Sequence, residues 1–157
     1  MIRGGSAGGW TVLSALTRGG SPFTAGTSYY GVADLVAMAQ DTHDFESRYL
    51  DGLVGPLPEA RAVYDERSPL SHVDRLDRPV LLLQGLEDPV VPPAQAELFL
   101  AALEGTGVPH AYLPFEGEAH GFRRAATVVA ALEAELSFYG QVLGFDPPDV
   151  PVLPLVR

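Results

Sequence analysis

The chain of 157 residues has no cysteine and no lysine. Without cysteine it can hold neither a disulfide framework nor a thiolate-bound metal. Without lysine, the glycine-rich stretch from Gly4 to Gly9 cannot be a phosphate-cradling loop, which needs one. Histidine is scarce: only His43, His72, His110 and His120 occur. They do not pair at ligand spacing and no His-Glu-x-x-His pattern exists, so no metal is expected. Positive charge is also short, with 10 arginines against 20 Asp and Glu and a net charge of −10. That balance argues against nucleic acid and anionic membrane partners. No apolar run is long enough to span a bilayer. The first residues show no basic region followed by an apolar core, so a secretory signal is not expected and the cytoplasm is the default.

What is present is apolar and alternating. Hydrophobic residues make up 46% of the chain, enough for one domain with a real core. Met1 to Arg3 reads as the end of a strand, and Ala7 onward as a helix stopped by Gly19-Gly20. Phe23 to Tyr30 is β-rich, and Val32 to Gln40 reads as a helix. Short helices are expected over 41–53 and Glu59 to Arg67, with a loop or single turn from Ser71 to Leu76. Val80 to Gly85 is a continuous apolar run closed by glycine, the pattern of a strand buried on both faces. A helix follows from Pro92-Pro93, then a strand from Val108 to Phe115, then a long helix from Arg123 to Leu143. From Phe145 onward the chain is proline-rich and aperiodic, and reads as an extended tail. Alternating strands and helices with parallel-type strands predict an α/β fold, a mostly parallel sheet with flanking helices.

Three residues stand where such sheets do chemistry, in loops directly after strands. Gly4-x-Ser6-x-Gly8 has the form of a nucleophile elbow, in which small neighbours let a serine sit on a strained strand-to-helix turn. A serine needs a base to take its proton and a carboxylate to orient that base. His120, between Ala119 and Gly121, is the candidate base; His43, His72 and His110 fit solvated or packing roles better. Asp88 is the candidate orienter, with Glu87 its nearest competitor and a helix N-terminal carboxylate its plainer alternative. The order Ser, Asp, His is that of α/β-hydrolases. In that geometry the backbone N–H of Ala7 is an oxyanion donor.

The stretches Arg3-Gly4-Gly5-Ser6-Ala7-Gly8-Gly9, Gln84-Gly85-Leu86-Glu87-Asp88-Pro89-Val90-Val91-Pro92 and Phe115-Glu116-Gly117-Glu118-Ala119-His120-Gly121-Phe122 resemble the catalytic domain of the prolyl oligopeptidase family. The nearest subgroup is the dipeptidyl aminopeptidase/acylaminoacyl-peptidase type, which Glu46-Ser47-Arg48-Tyr49-Leu50 also resembles. The resemblance implies a serine peptidase acting on peptides through an acyl-enzyme, without a cofactor. Ser6 would be the nucleophile, His120 the base and Asp88 the orienter. Tyr29, Tyr30, Val32 and Val91 fall where the family lines its primary specificity pocket. It also implies that residues 1–145 are the C-terminal part of an α/β-hydrolase domain, truncated at its N-terminus, with 146–157 as a proline-rich tail. The strands before the elbow, and a tyrosine completing the oxyanion hole, would lie upstream. Losing one such donor costs about 10²–10³ in rate. An exposed edge near Met1 to Arg3, or an uncovered sheet face, predicts self-association. An esterase on the same fold, or an inactive remnant serving as an interaction module, are the alternative functions.

Overall fold

The structure, a computed structural model, describes residues 1–41 and 49–157. His43, the Glu46-Ser47-Arg48 part of the family-like stretch and most of the first half of the helix expected over 41–53 lie outside the described residues.

Four strands form one sheet: β1 (Ile2–Gly5), β2 (Gly26–Tyr29), β3 (Val80–Gly85) and β4 (His110–Phe115). They lie in the order β1-β2-β3-β4, and each neighbouring pair is parallel. Helix α1 (Ala7–Thr17) connects β1 to β2. Three short helices, α2 (Leu35–Asp41), α3 (Tyr49–Leu53) and α4 (Arg61–Arg67), and a 3₁₀ stretch (Pro69–Arg75) separate β2 from β3. Helix α5 (Ala94–Leu103) connects β3 to β4, and α6 (Ala125–Leu143) follows β4.

The apolar run of β3 dictates the layering. All its residues are buried, and alternate side chains serve opposite faces, as the period of a strand requires. Val80 and Leu82 pack with Val12, Leu13 and Leu16 of α1 and Phe99 and Leu103 of α5. Leu81 and Leu83 pack with Ala131 and Phe138 of α6. Phe99 and Phe138 are fully buried, each worth roughly 1.5–3 kcal/mol in apolar burial. No helix among the described residues is long and apolar enough to cross a membrane.

Several element boundaries differ from the sequence reading, each for a local reason. The β-rich stretch from Phe23 narrows to Gly26–Tyr29, because its partners begin only at Ile2 and Val80. The helix expected from Val32 starts at Leu35, because the Asp34 carboxylate accepts the N–H groups of Val36 and Ala37 at 2.8 and 3.3 Å and caps it. The segment read as loop or a single turn is 3₁₀ over Pro69–Arg75. Helix α6 ends on Gly144 in the left-handed region, φ 77°, with its N–H given to the Gly140 carbonyl. The extended tail is pinned to the fold. Val156 bridges His110 antiparallel, Leu153 and Leu155 pack against the α6 side of the core, and the Ser137 hydroxyl accepts the Leu153 N–H at 2.8 Å. That bridge lies on the outer edge of β4. The outer edge of β1 has no strand partner among the described residues.

Candidate active site

Ser6 occupies the single residue between β1 and α1. Its φ of 57° and ψ of −121° put a non-glycine residue in sparsely populated territory, at a cost of about 1–3 kcal/mol. The surroundings enforce the turn. The Ser6 N–H donates to the Tyr29 carbonyl of β2 at 3.0 Å. A Cβ at Gly4 would collide with the Gly8 carbonyl, so the strand and the helix meet this closely only because position 4 lacks a side chain. Ala7, the first helical residue, is exposed, and N–H groups of a first turn have no partner within the helix.

Asp88 lies in the loop after β3 with its side chain fully buried. Its two oxygens are divided. Oδ1 accepts the N–H groups of Val90 and Val91 at 2.8 and 2.9 Å, which fixes the carboxylate in the loop. Oδ2 faces His120 Nδ1 at 2.8 Å. The plainer local capping role is therefore met by one oxygen while the other reaches the histidine. Glu87 is exposed and makes no hydrogen bond or ion pair with His120, which bonds Asp88 instead; the Glu87 backbone N–H donates to the Glu118 carbonyl at 2.9 Å.

His120 lies in the loop between β4 and α6. With Nδ1–H given to Asp88, Nε2 is left as an acceptor, and it stands 2.9 Å from Ser6 Oγ. The Tyr30 ring packs edge-on to the imidazole at a centroid distance of 4.9 Å, and Phe122 packs on Tyr30 and Phe115. The structure thus brings Ser6, Asp88 and His120 together as one hydrogen-bonded chain. His72 and His110 lie elsewhere and bond to the Glu66 and Val108 carbonyls.

A hollow of about 480 Å³ opens beside Ser6. Val32 and Val91 line it together with Trp10, Leu35, Met38 and Leu50. Trp10 is held by its indole N–H donating to the Arg67 carbonyl at 3.0 Å. The four residues expected in one pocket are split. Tyr29 and Tyr30 line a separate hollow with Arg3, Gly5 and Phe122. The reason is their attachment: the Tyr29 hydroxyl donates to Glu135 Oε2 of α6 at 2.9 Å, and the Tyr30 ring is held between His120 and Phe122. Burial, followed by the adjacent Glu135 carboxylate, pushes the Tyr29 phenol well above its ordinary value. The Glu118 carboxyl moves the other way. The Arg123 N–H holds it below its ordinary value, with the Arg124 N–H and the Thr127 hydroxyl adding to the effect.

Sequence reasoning missed Trp10, Leu35 and Met38 as lining residues. Trp10 lies one helical turn after Ser6, so helical spacing from the elbow carried the signal. It also missed Glu118, whose only sequence cue is its place two residues before His120.

A parallel sheet between helices, with Ser, Asp and His in that order after the carboxyl ends of β1, β3 and β4, defines an α/β-hydrolase arrangement. The chain belongs to the prolyl oligopeptidase family, which matches residues 1–146. It resembles the solved structure of a Mycobacterium tuberculosis puromycin-hydrolyzing peptidase with a TM-score of 0.94 and 61% identity, over 99% of this chain and 24% of that one. Among curated relatives it is 33% identical to dipeptidyl peptidase family member 6 of Caenorhabditis elegans, over 78% of this chain and 17% of the relative. It is 32% identical to the esterase LipQ of Mycobacterium tuberculosis, over 91% of this chain and 38% of the relative. The chain thus spans well under half the length of these proteins.

Proposed function

We propose that the chain carries the Ser–His–Asp machinery of a serine peptidase, hydrolysing peptide bonds through an acyl-enzyme on Ser6. The observation that carries this reading is the unbroken chain from Ser6 Oγ through His120 to Asp88, at 2.9 and 2.8 Å. Nε2 of His120 takes the hydroxyl proton as Ser6 Oγ attacks the scissile carbonyl. The carbonyl oxygen becomes an oxyanion facing the Ala7 N–H at the positive end of α1. The imidazolium, stabilised by Asp88, then protonates the leaving amine. Water attacks the acyl-enzyme with His120 again as base, releasing the acid and restoring the serine. His120 relays each proton, from Ser6 Oγ to the leaving amine and then from water back to Ser6 Oγ, so the cycle calls for no cofactor. The peptide side chain on the acyl side enters the hollow lined by Val32 and Val91, whose apolar walls favour an apolar group. Tyr29 and Tyr30 support the elbow and the histidine from the other side.

In this reading residues 1–145 are the hydrolase unit and 146–157 its tail. The compartment is the cytoplasm, and copies self-associate through the outer edge of β1, which has no strand partner among the described residues. The test is labelling by a fluorophosphonate, which reacts only with an activated serine. Labelling of the folded chain at Ser6, abolished in both Ser6→Ala and His120→Ala, is the expected result. Folded chain without labelling would instead favour an interaction module.

The esterase relative favours a second reading, an ester hydrolase with the same acyl chemistry. Parallel assays with aminoacyl anilides and short-chain aryl esters separate the two: turnover of esters alone supports the second.

A further inference from the structure

The base loop is built to be bent but is not stiff by itself. Two glycines in the left-handed region, Gly117 at φ 69° and Gly121 at φ 91°, flank His120. Glycine permits such turns at the largest loss of conformational freedom, so something else must fix the loop. Between the two glycines lies Glu118, a carboxylate only 1% exposed. Its Oε2 accepts the Arg123 N–H at 2.9 Å and its Oε1 the Arg124 N–H at 3.0 Å, the two donors that lead into α6. Its own carbonyl accepts the Glu87 N–H at 2.9 Å, which belongs to the loop carrying Asp88. Close contact there is possible because Gly85 has no side chain: a Cβ would lie 2.5 Å from the Glu118 carbonyl oxygen.

We propose that Glu118 is the positioning residue for His120, tying the loop of the base to the start of α6 with its side chain and to the loop of the acid with its backbone. This rests on the reading of Ser6, His120 and Asp88 given above. Helix α6 is a firm anchor, since Ala131 and Phe138 pack on Leu81 and Leu83 of the central strand. The two adjacent N–H donors explain why the residue is a carboxylate. Two oxygens can accept both, whereas an amide satisfies one and turns its own N–H₂ towards the other. A buried donor left without a partner is costly. Displacing His120 by 1 Å from Ser6 or Asp88 is enough to cost about 10²-fold in rate.

The experiment follows His120 directly. In the wild-type chain the proton on His120 Nδ1, shared with Asp88, should give a low-field proton NMR resonance, assigned by its loss in His120→Ala. Glu118→Ala and Glu118→Gln are examined well below their melting temperatures, with folding checked by circular dichroism. Glu118→Gln keeps the side-chain volume and is the variant chosen to remain folded. Glu116→Gln, at an exposed position in the same loop, removes the same charge and serves as the control. The expected result is a lost or shifted resonance in both Glu118 variants, with fluorophosphonate labelling slowed about tenfold in Glu118→Gln and about 10²-fold in Glu118→Ala. The control should match the wild type. Folded Glu118 variants that keep the wild-type resonance would overturn the proposal. The resonance also separates the two failures: a wild-type chain that is never labelled defeats the peptidase reading, while the resonance still reports whether Glu118 positions His120.

Discussion

Gly9 of α1 and Gly31, just after β2, face each other so closely that a Cβ on Gly9 would lie 2.6 Å from the Gly31 Cα. The helix behind Ser6 therefore rests on bare backbone. Adding one methyl group forces helix and loop apart, and overpacking of this kind costs about 1–3 kcal/mol. Gly9→Ala should lower the urea midpoint accordingly. Gly8→Ala, where a Cβ meets nothing within 4 Å, should stay close to the wild type.

Asp88 joins the loop to the histidine, so its amide variant separates geometry from charge. Asp88→Asn can keep an oxygen towards the Val90 and Val91 N–H groups, but it then turns a donor towards His120 Nδ1. The favoured tautomer places the proton on Nε2, where Ser6 needs an acceptor. The expected outcome is a fall of about 10⁴-fold in turnover or labelling rate, with little change in melting temperature.

On the proposed peptidase reading, the hollow beside Ser6 sets the preference for the acyl-side group. Leu50 is half-buried on its wall, so Leu50→Trp adds bulk without opening the core. Substrates with a large apolar group there should lose about tenfold or more in kcat/KM, while those with a small one should change little. Equal losses on both would show that the hollow does not hold that group.

The pair of phenols on Glu135 gives a pH signature. Tyr139 donates to Glu135 Oε1 at 2.8 Å and Tyr29 to Oε2 at 2.9 Å. Burial raises both, Tyr139 to about 12 and Tyr29 further, from an ordinary value of 10.0. The folded pKa lies above the unfolded one, so this contribution is fully present below about pH 10 and is lost as pH rises towards the folded values. Chemical denaturation from pH 8 to 11.5 should show falling stability above pH 10. The fall should be shallower in Tyr139→Phe.

The legible parts of the sequence were those set by local pattern. Val80 to Gly85 announces a strand buried on both faces because no polar residue but Gln84 interrupts it, and that glutamine bonds the Gly85 and Val91 carbonyls at 3.1 Å. Long α6 was legible from its period. Ser6, Asp88 and His120 each follow a strand, so the parallel topology brings them to the carboxyl end of the sheet. What failed to show depends on partners distant in sequence. The family resemblance groups Tyr29 and Tyr30 with Val32, but the direction of Tyr29 is set by Glu135, 106 residues later. The aperiodic tail gave no hint that Val156 would pair with His110. Glu118 read as one more loop carboxylate, since its burial exists only once the first turn of α6 presents two N–H groups to it.

The sheet as described is braced unevenly. The strand bearing Asp88 is held on both sides, and the one before His120 is paired with β3 and touched by the tail. Among the described residues, the strand leading to Ser6 has β2 as its one strand partner, with Ile2 N–H and Ser6 N–H donating to the Ala25 and Tyr29 carbonyls at 3.1 and 3.0 Å, and it is tied to α6 by the Arg3–Glu135 ion pair at 3.2 Å. Ser6, Asp88 and His120 therefore differ in how readily each swings out of place. Thermal opening of β1 would move the hydroxyl while leaving the acid and base where they are. Inactivation should then precede unfolding: in rising denaturant, reactivity at Ser6 fades while the core around β3 still excludes solvent, and hydrogen exchange is fastest along β1.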